Sequence, residues 1–165
     1  LARPETVELY ESLVDELPAY GLRARVFVVS SDNDLIPTLI HALNYGDFIL
    51  AAPDSGIYNP RTIKHILLTA YRRNRIVIGP SQAYVKAGSL ASTYTPLTEI
   101  SKLAAKYIEQ YRSDGQFPPP AYPDVFRIEL NDQVARSLNI PLPDRQEIIN
   151  SISERLAGSE EASDE

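Results

Sequence analysis

Three short polar stretches carry most of the residue types that could bind or react. They are Ser30-Ser31-Asp32-Asn33-Asp34, Pro53-Asp54-Ser55-Gly56-Ile57-Tyr58-Asn59-Pro60 and Gly79-Pro80-Ser81-Gln82-Ala83-Tyr84. Hydroxyls, carboxylates and amides at this density suit hydrogen bonding to a small polar solute, and the tyrosines suit packing on an apolar or aromatic part of it. The candidate ligand-binding residues are therefore Ser31, Asp54, Ser55, Tyr58, Asn59, Ser81, Gln82 and Tyr84. The same polar residue types also build turns and helix caps, so each has an architectural reading beside the functional one. Tyr58 and Tyr84 are harder to explain as turn chemistry.

Catalytic chemistry finds less support. Asp54-Ser55-Gly56 lacks the flanking glycines of a strand-elbow serine nucleophile. The two histidines, His41 and His65, fall inside expected helices, away from the loops where a base would have to reach Ser55 or Ser81. Neither belongs to a His-x-x-x-His pair with carboxylates at ligand spacing, so no metal is expected. No Gly-x-Gly-x-x-Gly or Gly-Lys-Ser/Thr element occurs, so no nucleotide cofactor is expected either. Arg72-Arg73-Asn74-Arg75 reads as basic charge complementing a helix end and a solvated turn.

The elements that must position these loops can be read from periodicity. Tyr10, Leu13, Val14 and Leu17 share one helical face within Pro4 to Tyr20, ending near Gly21. Val26-Phe27-Val28-Val29 is a β-branched and aromatic run that suits a central parallel strand covered on both faces. Ser31 to Asp34 offers N-caps for a helix to about Asn44, with Pro37 in its first turn. Phe48 to Ala52 reads as a strand, Arg61 to Asn74 as a helix buried through Ile63, Ile66, Leu67 and Ala70, and Arg75 to Gly79 as a further strand. Then come a short helix or turn at Gln82 to Ala87, a strand at Ala91 to Tyr94, and a helix from Leu97 to Tyr111. Four prolines make Phe117 to Pro123 an extended linker. Asp124 to Leu130 alternates like a half-solvated strand, Asn131 caps a helix to Leu138, and a last helix runs from beyond Pro143 to about Leu156. Strands alternating with helices imply right-handed βαβ units: an α/β fold, a parallel β-sheet with helices on both faces. In such a sheet ligands sit outside the carboxyl ends of the strands, where all three polar stretches fall.

Composition narrows the class further. The 165 residues are 44% hydrophobic, enough for one packed core. A net charge of −6 repels a phosphate backbone, so no nucleic acid is expected as partner. No uncharged apolar run is long enough to span a bilayer, and no signal-peptide pattern is present. The absence of cysteine leaves the compartment open, and the absence of methionine in a chain starting at Leu1 suggests a fragment. A lobe is expected over 1–157 and a disordered acidic tail over 158–165.

Several motifs in order resemble one family. Phe48 to Tyr58, with Ala-Ala-Pro-Asp-Ser after a strand, then Arg75 to Ser81, Lys86-Ala-Gly-Ser-Leu-Ala-Ser92, Phe126 to Asn131 and Ala135 to Pro141, resemble ABC-transporter substrate-binding proteins of the tryptophan/tyrosine type. One departure is Gly79-Pro80-Ser81 where that family has a Ser-Asp pair. The resemblance implies the second lobe of a two-lobed type I binding fold, Rossmann-like, with the first lobe and any signal peptide preceding Leu1. It implies that the ligand is clamped between lobes, with Asp54 facing an amine or hydroxyl, Ser31 and Ser81 presenting hydroxyls, and Tyr58 and Tyr84 packing on apolar parts. It also implies a membrane permease as partner, a periplasmic or lipoprotein location at the outer face of the cytoplasmic membrane, and no enzyme activity. An alternative is a flavodoxin-like or receiver-type signalling module with Asp54 as phospho-acceptor. That reading lacks a strand placing Lys86 opposite Asp54.

In the two-lobed fold the chain crosses toward the first lobe over about residues 91–116. Ile100, Leu103, Ala104, Tyr107, Ile108 and Tyr111 then form an apolar helical stripe that needs cover, since each large side chain left wet forfeits about 1.5–3 kcal/mol. The chain is expected to self-associate through residues 91–111 or to fold this segment back on itself. Sedimentation should show a concentration-dependent oligomer that Leu103→Asp and Ile108→Asp dissolve, whereas a monomer with this stripe solvated would contradict the expectation.

Overall fold

The computed structural model describes residues 1–120, 123 and 125–161. The chain opens with a helical stretch of mixed winding: a 3₁₀ turn at Pro4–Tyr10, α1 at Glu11–Glu16 and a second 3₁₀ turn at Leu17–Tyr20. One continuous α-helix was the expectation over this range. Pro18 supplies no N–H to an α-ladder, which favours the tighter 3₁₀ ending. Gly21, left-handed at φ 72°, terminates the stretch.

The elements that follow match the expected alternation. They are α2 (Leu35–Tyr45), β1 (Phe48–Leu50), α3 (Ile63–Tyr71), β2 (Ile76–Gly79), α4 (Gln82–Ala87), β3 (Ala91–Tyr94), α5 (Leu97–Asp114), β4 (Arg127–Leu130), α6 (Asp132–Ser137) and α7 (Arg145–Glu161). The strand order is β1-β2-β3-β4. β1 runs parallel to β2 with Ile49 opposite Val77, and β2 runs parallel to β3 with Ile78 opposite Ala91. Of the expected linker, residues 121 and 122 lie outside the described residues. So do Asp124, the expected start of a strand, and 162–165 of the expected tail.

The chain divides into two compact units. One comprises Leu1–Ser92 and Leu130–Leu142; the other comprises Thr93–Glu129 and the residues from Pro143 onward. The core of the first joins Leu35, Leu39, Ala42 and Leu43 of α2 and Ile63, Ile66, Leu67 and Ala70 of α3 to Ile49 of β1 and Val77 of β2. The four α3 residues are those expected from their spacing. Arg75, in the basic run, donates to the Leu43 carbonyl at the end of α2 (3.3 Å) and pairs with Asp47 (3.2 Å). That arginine thus ties the end of α2 to the start of β1. In the second unit α5 has no buried residue, and Leu97 is 80% exposed. Phe117 folds back to stack on Tyr111 with centroids 4.4 Å apart.

One expectation is corrected. Val26–Val29 is not a central strand covered on both faces: Val29 is fully buried, but Val28 is 43% exposed and makes only an isolated parallel bridge with Ala2. Ala2 N–H donates to the Phe27 carbonyl (3.1 Å), and Val29 N–H donates to the Ala2 carbonyl (2.9 Å). A ladder needs a partner along its length, and among the described residues the run bridges to Ala2 alone.

Asn131 closes the first unit. Its side-chain oxygen accepts from Val134 N–H (3.0 Å) as the N-cap of α6, its amide donates to the Val85 carbonyl (2.9 Å), and its own N–H donates to the Leu90 carbonyl (2.8 Å). Asn131→Ala should lower unfolding free energy by about 2 kcal/mol, from the lost cap and an orphaned carbonyl. Urea denaturation checks this, and a change within about 0.5 kcal/mol would show that the cap is dispensable.

Candidate functional site

The three polar loops lie where the parallel strands and the Val26–Val29 run end, and they are bonded to one another. Arg3 joins the first to the second: its guanidinium donates to the Val29 carbonyl (3.2 Å) and the Gly56 carbonyl (2.9 Å), and it pairs with Asp32. Tyr84 joins the third to the second, its hydroxyl donating to the Tyr58 carbonyl while its ring meets the Tyr58 ring edge-on at 6.4 Å. Gly79 makes this approach possible. A Cβ there would stand 2.5 Å from the Tyr84 Cβ and 2.9 Å from Ser89 Oγ, so any side chain would push Tyr84 off the strand end.

Asp54 anchors the second loop. It is 6% exposed, and its carboxylate accepts from Thr6 Oγ1 (2.9 Å), Arg3 N–H (3.2 Å) and Gly56 N–H (2.9 Å). Burial raises its pKa, but the Thr6 hydroxyl and the surrounding N–H groups outweigh that and hold the carboxyl below its ordinary value. Its backbone carbonyl accepts from Ile57 and Tyr58 N–H, folding the loop tightly. Hydrogen bonds to a charged group contribute about 1.5–3 kcal/mol each, whereas an ion pair with one exposed partner contributes about 0–1 kcal/mol. Asp32 in the Arg3 pair is 90% exposed, so the Asp54 bonds hold the loops more than that pair does.

The other expected residues are placed as follows. Ser31 is exposed and its hydroxyl donates to Asp34 (2.7 Å). Ser55 is exposed, and its carbonyl accepts from the Asn59 amide (3.0 Å). Asn59 Oδ1 accepts from Arg61 N–H (3.0 Å) and Thr62 N–H (3.3 Å), setting the turn into α3. Ser81, Gln82 and Tyr84 are half-buried at the start of α4. Tyr58 is 4% exposed and belongs to the core. Its hydroxyl and that of Ser89 are buried with no hydrogen-bond partner among the described residues. Burial, then the charge of Asp54, raise the Tyr58 pKa.

Arg3 and Thr6 were missed by sequence reasoning. The signal for Arg3 was there: a guanidinium just before a helical N-terminus opposes the helix dipole, which implies a partner elsewhere. Nothing local marks Thr6, whose bond to Asp54 spans 48 positions.

A cleft of about 590 Å³ lies elsewhere in the first unit and contains none of the eight residues. Its walls include Tyr10, Leu13, Val26, Phe27, Phe48 and Leu50. Among the described residues no group of three or more histidine, cysteine or carboxylate side chains could hold a metal ion, and no helix is long and apolar enough to cross a membrane.

This α/β architecture is shared with solved structures. The chain is similar to a conserved domain protein from Vibrio cholerae O1 biovar eltor, with TM-score 0.65 and 20% identity over 86% of this chain and 49% of that one. It is also similar to an ABC domain in complex with L-Trp from Streptococcus pneumonia, with TM-score 0.64 and 21% identity over 82% and 47%. A third likeness is to the ligand-free, open structure of a Clostridium difficile substrate binding protein with adhesive properties, with TM-score 0.64 and 15% identity over 86% and 49%. At these identities the likeness is one of fold, that of an α/β lobe of the kind found in substrate-binding proteins. The chain spans about half the length of each of these structures. No protein-family model matches the chain, and no curated protein sequence matches it.

The Asp54 carboxylate contributes stability that is full above its ordinary pKa of 3.8 and is lost as pH falls through its lower folded value. Asp54→Asn should therefore cost about 2 kcal/mol near neutral pH, with the gap to the parent chain closing in acid. Urea midpoints between about pH 6 and pH 3 check this; a gap that stays constant across that range would rule the carboxylate out as the source.

Proposed function

We propose that the chain is the ligand-binding lobe of the solute-binding component of an ABC importer, taking a small solute such as an amino acid, and is not an enzyme. The observation that carries this is the cross-bonding of three polar loops at the strand ends by Arg3 and Tyr84, in a fold shared with substrate-binding proteins. Loops fixed to one another form a pre-ordered rim, which lowers the entropy lost when a ligand is bound.

The eight candidate residues divide by exposure. Ser31, Ser55, Asn59, Ser81, Gln82 and Tyr84 reach solvent and contact the solute, while buried Asp54 and Tyr58 hold the rim in shape. In a protein about twice this length, a second lobe would supply the facing wall, and closure about a hinge would trap the solute. Such a component works with a membrane permease, from the periplasm or as a lipoprotein at the outer face of the cytoplasmic membrane. The buried, three-donor Asp54 does not suit a phospho-acceptor, which must meet a phosphodonor in solution. His41 and His65 are exposed on α2 and α3.

Mass spectrometry of small molecules released on denaturing the full-length purified protein identifies the solute class. Calorimetric titration with that compound should then give a dissociation constant that Tyr84→Ala weakens by about ten- to a hundredfold, corresponding to about 1.4–2.8 kcal/mol. Absence of any released or titratable small molecule, or binding indifferent to Tyr84→Ala and Ser81→Ala, would overturn the reading.

A further inference from the structure

The cleft beside β1 is bounded by two strand edges. On one side stand Arg25, Val26 and Phe27; on the other, Phe48, Ile49 and Leu50. Ala51 N–H donates to the Ile78 carbonyl on β2 (2.9 Å), so alternation turns the backbone groups of Phe48 and Leu50 toward the cleft. Opposite them, the Phe27 carbonyl and Val29 N–H are taken by Ala2, so the groups of Arg25 and the Phe27 N–H also face the cleft. Among the described residues no backbone hydrogen bond crosses the gap. The cleft is also lined by Ala42 and Tyr45 of α2 and by Tyr10, Leu13, Val14 and Leu17 of the N-terminal helical stretch.

We propose that this cleft is a strand slot, one that an extended apolar segment of about four residues joined to Leu1 would fill, running parallel to both Val26–Val29 and β1. Three observations carry it. Ala2 already occupies the slot as a single strand residue, bonded to Phe27 and Val29, while the next N–H, that of Arg3, points the other way, to Asp54 beyond β1. Leu1 lines the cleft, so a residue attached to it enters between the two edges. The cleft is lined mostly by apolar side chains, which suits an apolar strand. By the parallel pattern, the residue joined to Leu1 would donate to the Arg25 carbonyl and accept from Phe27 N–H, extending the Ala2 ladder by one step. The inference is independent of the ligand reading.

Two versions of the chain test it, one bearing Val-Ile-Val-Ile before Leu1 and one bearing Val-Pro-Val-Pro, which is as long and nearly as apolar but lacks two donors. Amide hydrogen exchange of Phe27, Phe48 and Leu50 should slow by about tenfold or more with the first extension relative to the parent, and not with the second. Equal exchange in all three versions, or equal slowing by both extensions, would overturn the proposal. Slowing that depends on protein concentration would place the extension in a second copy and would also overturn it. Binding of a small apolar probe such as 8-anilinonaphthalene-1-sulfonate should disappear with the first extension, and probe binding that survives it would show that the strand is not in the slot.

Discussion

A single carboxylate, that of Asp54, fastens the start of the chain to the loop after β1. Removing it from water would be costly if it stood alone; three donors make the burial tolerable. Because two of those donors come from Arg3 and Thr6, the bond set fastens the start of the chain to the loop after β1. From that fastening follow the position of the Arg3 guanidinium, the bridging of the Val29 and Gly56 carbonyls, and the seat of Ala2 beside Val28. The third loop is attached separately, through Tyr84, whose place depends on the bare strand end at Gly79.

Local chemistry made much of this legible. α4 and β3 fall on the expected residues, and α3 buries the four side chains that its spacing selects. The Asn131 cap was visible because an N-cap needs only a polar side chain and the turn after it. What could not be read depends on distant partners. Val26–Val29 has the composition of a buried strand, yet a strand is a pairwise object, and among the described residues only Ala2 bridges to it. The eight loop residues were picked by type alone, and type does not separate buried Asp54 and Tyr58 from solvent-facing Ser31 and Ser55. That separation is set by Arg3, Thr6 and Tyr84, whose bonds to the loop span many positions.

The two concave features of the first unit differ in chemistry. At the strand ends, polar side chains stand on a cross-bonded frame, the chemistry on which the solute-binding proposal rests. The cleft beside β1 offers apolar walls and outward-facing main-chain groups, an arrangement suited to more polypeptide.

Asn131 also has a consequence for synthesis. Its partners Val85 and Leu90 lie on the near side of the excursion that forms most of the second unit, and Asn131 lies on the far side. On the ribosome, α4 and β3 emerge roughly 2–8 s before the residue that caps them, at about 5–20 residues per second. During that interval the first unit is an open sheet whose β3 edge lacks its cover, next to an emerging α5 with an uncovered apolar stripe. The order of the elements thus leaves the Val85 and Leu90 carbonyls without their Asn131 donors until the excursion has been made.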